Sequence, residues 1–331
     1  LNSAYGALGS QYFRFYDLRM ALGVTTAGQL SIRWIENKIN TYMNKLLKTD
    51  KDYVIASDTD SIYLNLGPLV ENIGCNGMAD EKVINVMDRI CEDKIQPYID
   101  KSYQELAVYV HAYAQKMQMK REALANKGIW TAKKRYVLRV HNNEGVEYKT
   151  PQVKVMGLEV VKSSTPNFCR LKLKDALDVI LSKTEEEMIE FIEKVRNEFK
   201  TLPLADIAFP RGVNGLSKYY DEKKGLIQKG TPVHVRGSFN YNNLIKKHNL
   251  QKKYPFVMEG EKIKFIYMKE PNTFQSNIIS FHQILPKELD IEQFIDYDTQ
   301  FNKSFVEPLK IILDCIGWKT EKISTLEDFF G

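Results

Sequence analysis

The four residues Asp58-Thr59-Asp60-Ser61 constrain this chain more than any other stretch, because of what flanks them. Tyr53-Val54-Ile55-Ala56 precedes them and Ile62-Tyr63-Leu64 follows. Both flanks are aromatic, β-branched or aliphatic, so each reads as a strand. The polar tetrad is then the tip of a tight hairpin between buried strands. Side chains alternate along a strand, so two carboxylates two positions apart point the same way. Such a pair concentrates negative charge, which is unfavourable unless a cation neutralises it. One reading is therefore a metal site; another is plain turn chemistry, in which Asp caps its own backbone. Two further readings fail. An EF-hand loop needs Gly at its sixth position and Glu at its twelfth, where this chain has Tyr63 and Leu69. An aspartic-protease loop would have Gly in place of Asp60.

The 331 residues, 44% hydrophobic and 27% charged, suit a soluble globular protein of one large or two ordinary domains. A net charge of +5 permits a nucleic-acid partner without demanding one. Cys75, Cys91, Cys169 and Cys315 are scattered, and the five histidines show no metal-binding spacing. These patterns argue against a disulfide framework or a zinc knuckle, and for a reducing compartment. No apolar run is long enough to span a membrane, and no signal peptide is visible. The chain opens on Leu1, and Asn2-Ser3-Ala4-Tyr5-Gly6 reads like the middle of an element, so it is expected to be cut from something longer.

Helical spacing predicts an amphipathic helix over 28–48, with Ile35, Ile39, Tyr42 or Met43, and Leu46 on its face. Two more are expected over 81–95 and 98–113, broken at Pro97, the second burying Ile99, Tyr103, Leu106, Val110 and Tyr113. Alternation over 136–140 and a turn at 142–145 leading into 146–148 predict a hairpin. The chain is expected to turn helical again after Pro166, through Ala176 to Leu181, and a second helix opens at Thr184, where Glu187 three residues on completes a capping box. The last third mixes a strand over 262–268 with a helix near 305–312, and a boundary is expected at about 160–167.

Four segments carry chemistry. They are Asn2-Ser3-x-Tyr5-Gly6 with Phe13-Arg14-Phe15-Tyr16-Asp17-Leu18-Arg19 and Thr25-x-x-Gly28; the Asp58–Ser61 hairpin; Lys120-Arg121-Glu122 leading to Lys133-Lys134-Arg135-Tyr136; and Met156-Gly157-Leu158-Glu159 leading to Lys162-Ser163-Ser164-Thr165-Pro166. In this order the chain resembles the C-terminal part of a family-B DNA polymerase, nearest to those of T-even-type phages.

The resemblance implies an α+β fold: the end of a fingers helix (1–20), a partial palm of antiparallel sheet and packed helices (21–165), and a mixed, largely helical thumb (166–322). It implies DNA-templated DNA synthesis, in which two Mg²⁺ ions assist attack of a primer 3′-hydroxyl on a deoxynucleoside triphosphate. Asp60 and Asp58 become the catalytic, metal-holding pair, with Glu122 at the edge of the site. A further catalytic aspartate of the family has no counterpart here, so an upstream polymerase portion is an expected partner and this chain alone is expected to be inactive. Asn2 and Tyr5 would meet the nucleotide. Lys133, Lys134, Arg135, Tyr136 and Lys162 would bind primer-template DNA, and the His234-Val235-Arg236-Gly237 and Lys246-Lys247 segments fall in the thumb-like region. Leu326, Phe329 and Phe330, in a tail over 323–331, resemble a sliding-clamp peptide. The implied setting is the cytoplasm of an infected bacterium. A non-catalytic DNA-binding subunit is the alternative.

Overall fold

The long helix expected from Gly28 begins at Leu18 instead. In the computed structural model, which describes residues 4–221 and 226–322, a short helix α1 (Ala4–Leu8) precedes α2 (Leu18–Leu47). Asp17 caps α2, its side chain accepting the Arg19 N–H at 2.9 Å. Only Ser31, Ile35, Ile39 and Met43 of α2 are buried, whereas Leu18, Met20, Leu22 and Val24 are exposed. The first turns therefore carry no apolar stripe for a periodicity argument to find.

The residues divide into two units. The first runs through Asn126 and includes Arg139–Gln152; the second holds Lys127–Leu138 and everything from Val153. A hairpin tip, Lys127–Leu138, thus falls with the later unit, and Val137 there is buried in the second core.

In the first unit, β1 (Val54–Asp58) and β2 (Ser61–Leu64) form a two-stranded antiparallel sheet, with Asp58 paired to Ser61. These strands are not buried on both faces as the apolar flanks suggested: Ile55 is exposed and Ile62, Tyr63 and Leu64 are half-buried. After a short separate helical segment, Gly67–Asn72, the following helices run on without a break. α3 (Asp80–Ile90) passes through one π-helical turn, Cys91–Ile95, into α4 (Gln96–Tyr109). Pro97 lies just past the π-helical turn, whose wider bonding accommodates the N–H that proline lacks. Ile99, Tyr103 and Leu106 pack inward as expected, but Val110 and Tyr113 lie past the helix end and are exposed.

Strands β3 (Ala123–Ala132), β4 (Arg135–Asn143) and β5 (Val146–Met156) follow as successive hairpins in one sheet. Glu144 and Gly145, both at positive φ, make the second turn.

The second unit begins its helices with α5 (Asn167–Ser182) and α6 (Glu185–Phe199). The capping box at Thr184 is present in both directions. Its sheet has the antiparallel order β8-β7-β6, from β6 (Phe209–Gly212), β7 (Lys262–Tyr267) and β8 (Ile278–Phe281), covered by α7 (Val233–Lys247). Gly237 makes that packing possible, since a Cβ there would sit 2.5 Å from Ser280 Oγ and 3.0 Å from its backbone N. α8 (Tyr297–Phe301), a π-helical turn over Asn302–Val306 and α9 (Glu307–Leu313) complete the core with Phe301, Phe305 and Leu309. The fold class is α+β, as the sequence indicates. No helix among the described residues is long and apolar enough to cross a membrane.

Candidate metal centre and nucleic-acid interface

The β1–β2 hairpin is anchored to α2 at its base. Asn40 on α2 accepts the N–H groups of Tyr53 (2.8 Å) and Val54 (3.0 Å), fixing the start of β1 against the helix. The Tyr53 hydroxyl meets Thr49 Oγ1 at 2.6 Å, and the Tyr53 ring is buried. Nothing in the sequence marks Asn40 for this role, because it lies on the stripe of neither strand nor helix core.

At the tip the geometry departs from strand alternation. Asp58 is the last residue of β1, while Thr59 and Asp60 form the turn itself. Thr59 sits at φ +55°, a region that β-branched residues rarely occupy. Its hydroxyl donates to Asp58 Oδ1 at 3.0 Å, Ser61 Oγ donates to the Asp58 carbonyl at 3.2 Å, and the Asp60 N–H reaches that carbonyl at 2.6 Å. Asp58 is half-buried and Asp60 exposed. The two carboxylates thus arise from a strained turn rather than from neighbouring positions on one strand face. Held strain of this kind collects at functional sites. Below the turn, burial pushes the Tyr103 phenol up, and the nearby Asp60 carboxylate pushes it further.

Mg²⁺ is commonly held by one or two carboxylates, with waters and substrate phosphates supplying the remaining oxygens. Asp58 and Asp60 fit that donor set. Among the described residues no three His, Cys, Asp or Glu side chains group as a metal cage. Glu122 lines a cavity of about 820 Å³ with Cys91, Gln96, Asp100 and Arg121, just before β3, and its carbonyl accepts the Glu144 N–H. Arg121 in that wall is tied to Asp88 at 2.6 Å and to Asn142 at 2.9 Å. Burial raises the Cys91 thiol to about 11, so it stays protonated at neutral pH.

The basic string lies in the second unit. Lys133 and Lys134 are the exposed two-residue turn between β3 and β4, with Lys134 at φ +62°. The segment after β5 packs directly on this turn. Gly157 has φ +66°, and a Cβ on it would come within 2.2 Å of the Lys134 carbonyl and 3.1 Å of Arg135 Cγ. Only glycine fits, and through it two separate sequence motifs become neighbours. Arg135 is half-buried. Tyr136 is 7% exposed and lies 6.1 Å from the Trp130 ring, so it supports the turn from beneath rather than presenting a surface. Lys162 pairs with Glu159 at 2.6 Å on a stapled loop, where Thr165 Oγ1 holds the Glu159 carbonyl at 2.9 Å.

The remaining expected residues fall elsewhere. Tyr5 is on α1 with its ring about half exposed. Asn2, Leu326, Phe329 and Phe330 lie outside the described residues. His234-Val235-Arg236-Gly237 is the inward-packed first turn of α7: Val235 is fully buried, Arg236 donates to Asn277 at 2.9 Å, and burial holds His234 below its ordinary value. Val235 and Gly237 of that segment are buried, while His234 and Arg236 are half-buried. Lys246 and Lys247 are exposed in the last turn of α7. Arg211 on β6, beside Lys162 in one cavity wall, belongs to none of the motifs.

No family model matches the chain. All of it aligns with the DNA-directed DNA polymerase of Enterobacteria phage T4, at 34% identity over 345 residues, and with that of Escherichia phage RB69, at 35% over 345. A DNA polymerase alpha catalytic subunit from Xenopus laevis is 22% identical over 307 residues, covering 91% of this chain and 18% of that protein. The chain spans 38% of the length of each phage relative. Along its whole length, then, this chain is similar to part of the DNA-directed DNA polymerases of two T-even-type phages.

Proposed function

We propose that this chain supplies the carboxylate pair and the primer-side cations of a DNA-templated DNA polymerase. The full-length similarity to two phage polymerases carries this reading. Asp58 and Asp60 would hold divalent cations, which when bound neutralise phosphate charge and favour nucleotidyl transfer to a primer 3′-hydroxyl. The protein's own task at that turn is positioning. The Thr59 hydroxyl orients Asp58, the backbone of the turn leaves Asp60 open to solvent, and Asn40 keeps the hairpin seated. Tyr5 and Asn2 would face the nucleotide. Lys133, Lys134, Arg135 and Lys162 would meet backbone phosphates, and Tyr136 would act by supporting their turn.

An acid from another polypeptide portion would complete the metal site, since the chain spans 38% of the length of each phage relative. Purified alone, the chain should add no nucleotide to a primed template; robust extension would refute that part of the reading. DNA binding is tested separately. Replacing Lys134 and Arg135 by Gln should weaken primer-template binding and flatten the log–log salt dependence by roughly one unit for each phosphate no longer neutralised. An unchanged slope would return the string to a solvated turn.

A further inference from the structure

From Met20 to Ile32 the sequence carries no charged side chain. This run lies in the first half of α2, where burial begins only at Ser31. Met20, Leu22, Val24 and Leu30 are 40–63% exposed, and the residues between them are exposed too, apart from half-buried Ala21 and Gly28. Exposed positions that follow one another along a helix cover its faces in turn, so solvent meets apolar or small side chains on several sides. A helix of that kind is normally buried, whereas a solvent-facing one carries charge on its outer face. The run is also a poor helix by itself, since Gly23, Val24, Thr25, Thr26 and Gly28 all have low propensity.

The helix that packs along the second half of α2 stops short. Tyr42 stacks on Tyr98, Lys38 pairs with Glu105 at 2.6 Å, and Trp34 stacks on Tyr109, so α4 runs antiparallel to α2 and ends opposite Trp34. The turns before Trp34 project past it, and the five-residue α1 that packs on them leaves them exposed. Just before α2, Tyr12 and Phe15 are 91% and 65% exposed. A contiguous apolar surface of this extent marks an interface.

We propose that α2 from Leu18 to Leu30 is an insertion helix, enclosed on its open faces by polypeptide that the phage relatives carry outside the aligned stretch. The chain spans 38% of the length of each relative, so that polypeptide is large enough to form a surrounding core. A second copy of the chain, pairing helix to helix, would cover one face and leave the others wet. The identity of the occupant rests on the polymerase reading; the need for an enclosing partner does not.

Labelling of Val24→Cys with N-ethylmaleimide tests the site, in a background where the exposed Cys315 is replaced by Ser. In this chain alone the thiol should label nearly as fast as free cysteine. In the complete protein containing this chain, labelling should slow by about tenfold or more, since a covered thiol reacts only when its cover opens. As a second measurement, Val24→Lys should leave the thermal unfolding of the chain alone unchanged, as exposed substitutions do. In the complete protein it should lower Tm by several degrees, through a charge buried without a partner. Equal labelling rates in the two forms, or a lysine tolerated in the complete protein, overturn the proposal. Slow labelling in the chain alone, with a dimer in sedimentation, assigns the face to a second copy and also overturns it. A protected thiol in a complete protein that adds no nucleotide keeps the enclosure and rejects the polymerase reading; a reactive thiol in one that adds nucleotide does the reverse.

Discussion

Thr59 is where residue chemistry and the proposed function meet. A β-branched residue at φ +55° is disfavoured, and its hydroxyl bond to Asp58 is the compensation visible at the turn. Thr59→Asn should therefore stabilise the chain by roughly 1 kcal/mol, because Asn tolerates that conformation. Urea unfolding reads the effect, and a destabilised variant would mean that Thr59 is not strained. Gly157 makes the opposite case. Gly157→Ala forces a clash with the Lys134 carbonyl, so primer-template affinity should fall with the displaced turn. The Asp pair and the lysine string are legible in the sequence because charge and spacing are written in the residues. Asn40 and Gly157 are not legible as partners, since their roles depend on segments far away in sequence.

At the scale of elements, the helices with a buried stripe and a cap are readable, as the Thr184 capping box and α6 illustrate. The exposed first half of α2 is not, because no apolar period marks it. Pro97 reads as a break in the sequence, yet a π-helical turn ahead of it lets two helices run together. The short strands β6 and β8 gain their identity from pairing with β7, which local propensity does not reveal. The packing of α7 on that sheet gives a sharp test. Gly237→Ala places a methyl against Ser280, whose hydroxyl already donates to the His234 carbonyl at 2.8 Å. Overpacking of this kind should destabilise by about 1–3 kcal/mol in chemical unfolding; a neutral result would show that the helix can slide.

The same helix sets a pH dependence. Burial, reinforced by the Arg211 charge, holds His234 below its ordinary 6.5. The unfolded chain therefore takes up the proton first as pH falls, and stability present above pH 6.5 is lost on descending from 6.5 through the folded pKa. His234→Gln should flatten the fall in Tm between pH 7 and pH 5. A profile as steep as wild type would place the titration elsewhere, with His141, also held low by burial, as the next group.

For the whole molecule, the central claim is that the Asp58–Asp60 turn does catalytic work rather than turn chemistry alone. Duplex affinity rests on cations meeting phosphates, while nucleotidyl transfer depends on carboxylates that hold metal. The two should separate cleanly. The most direct measurement is single-turnover nucleotide addition by a full-length polymerase containing this chain, with and without Asp60→Ala, alongside primer-template binding by both forms. Addition should be abolished while binding stays within about twofold, since the cations that set affinity are untouched. Retained addition, or an equal loss of binding and addition, would contradict the assignment of Asp60 to the metal site.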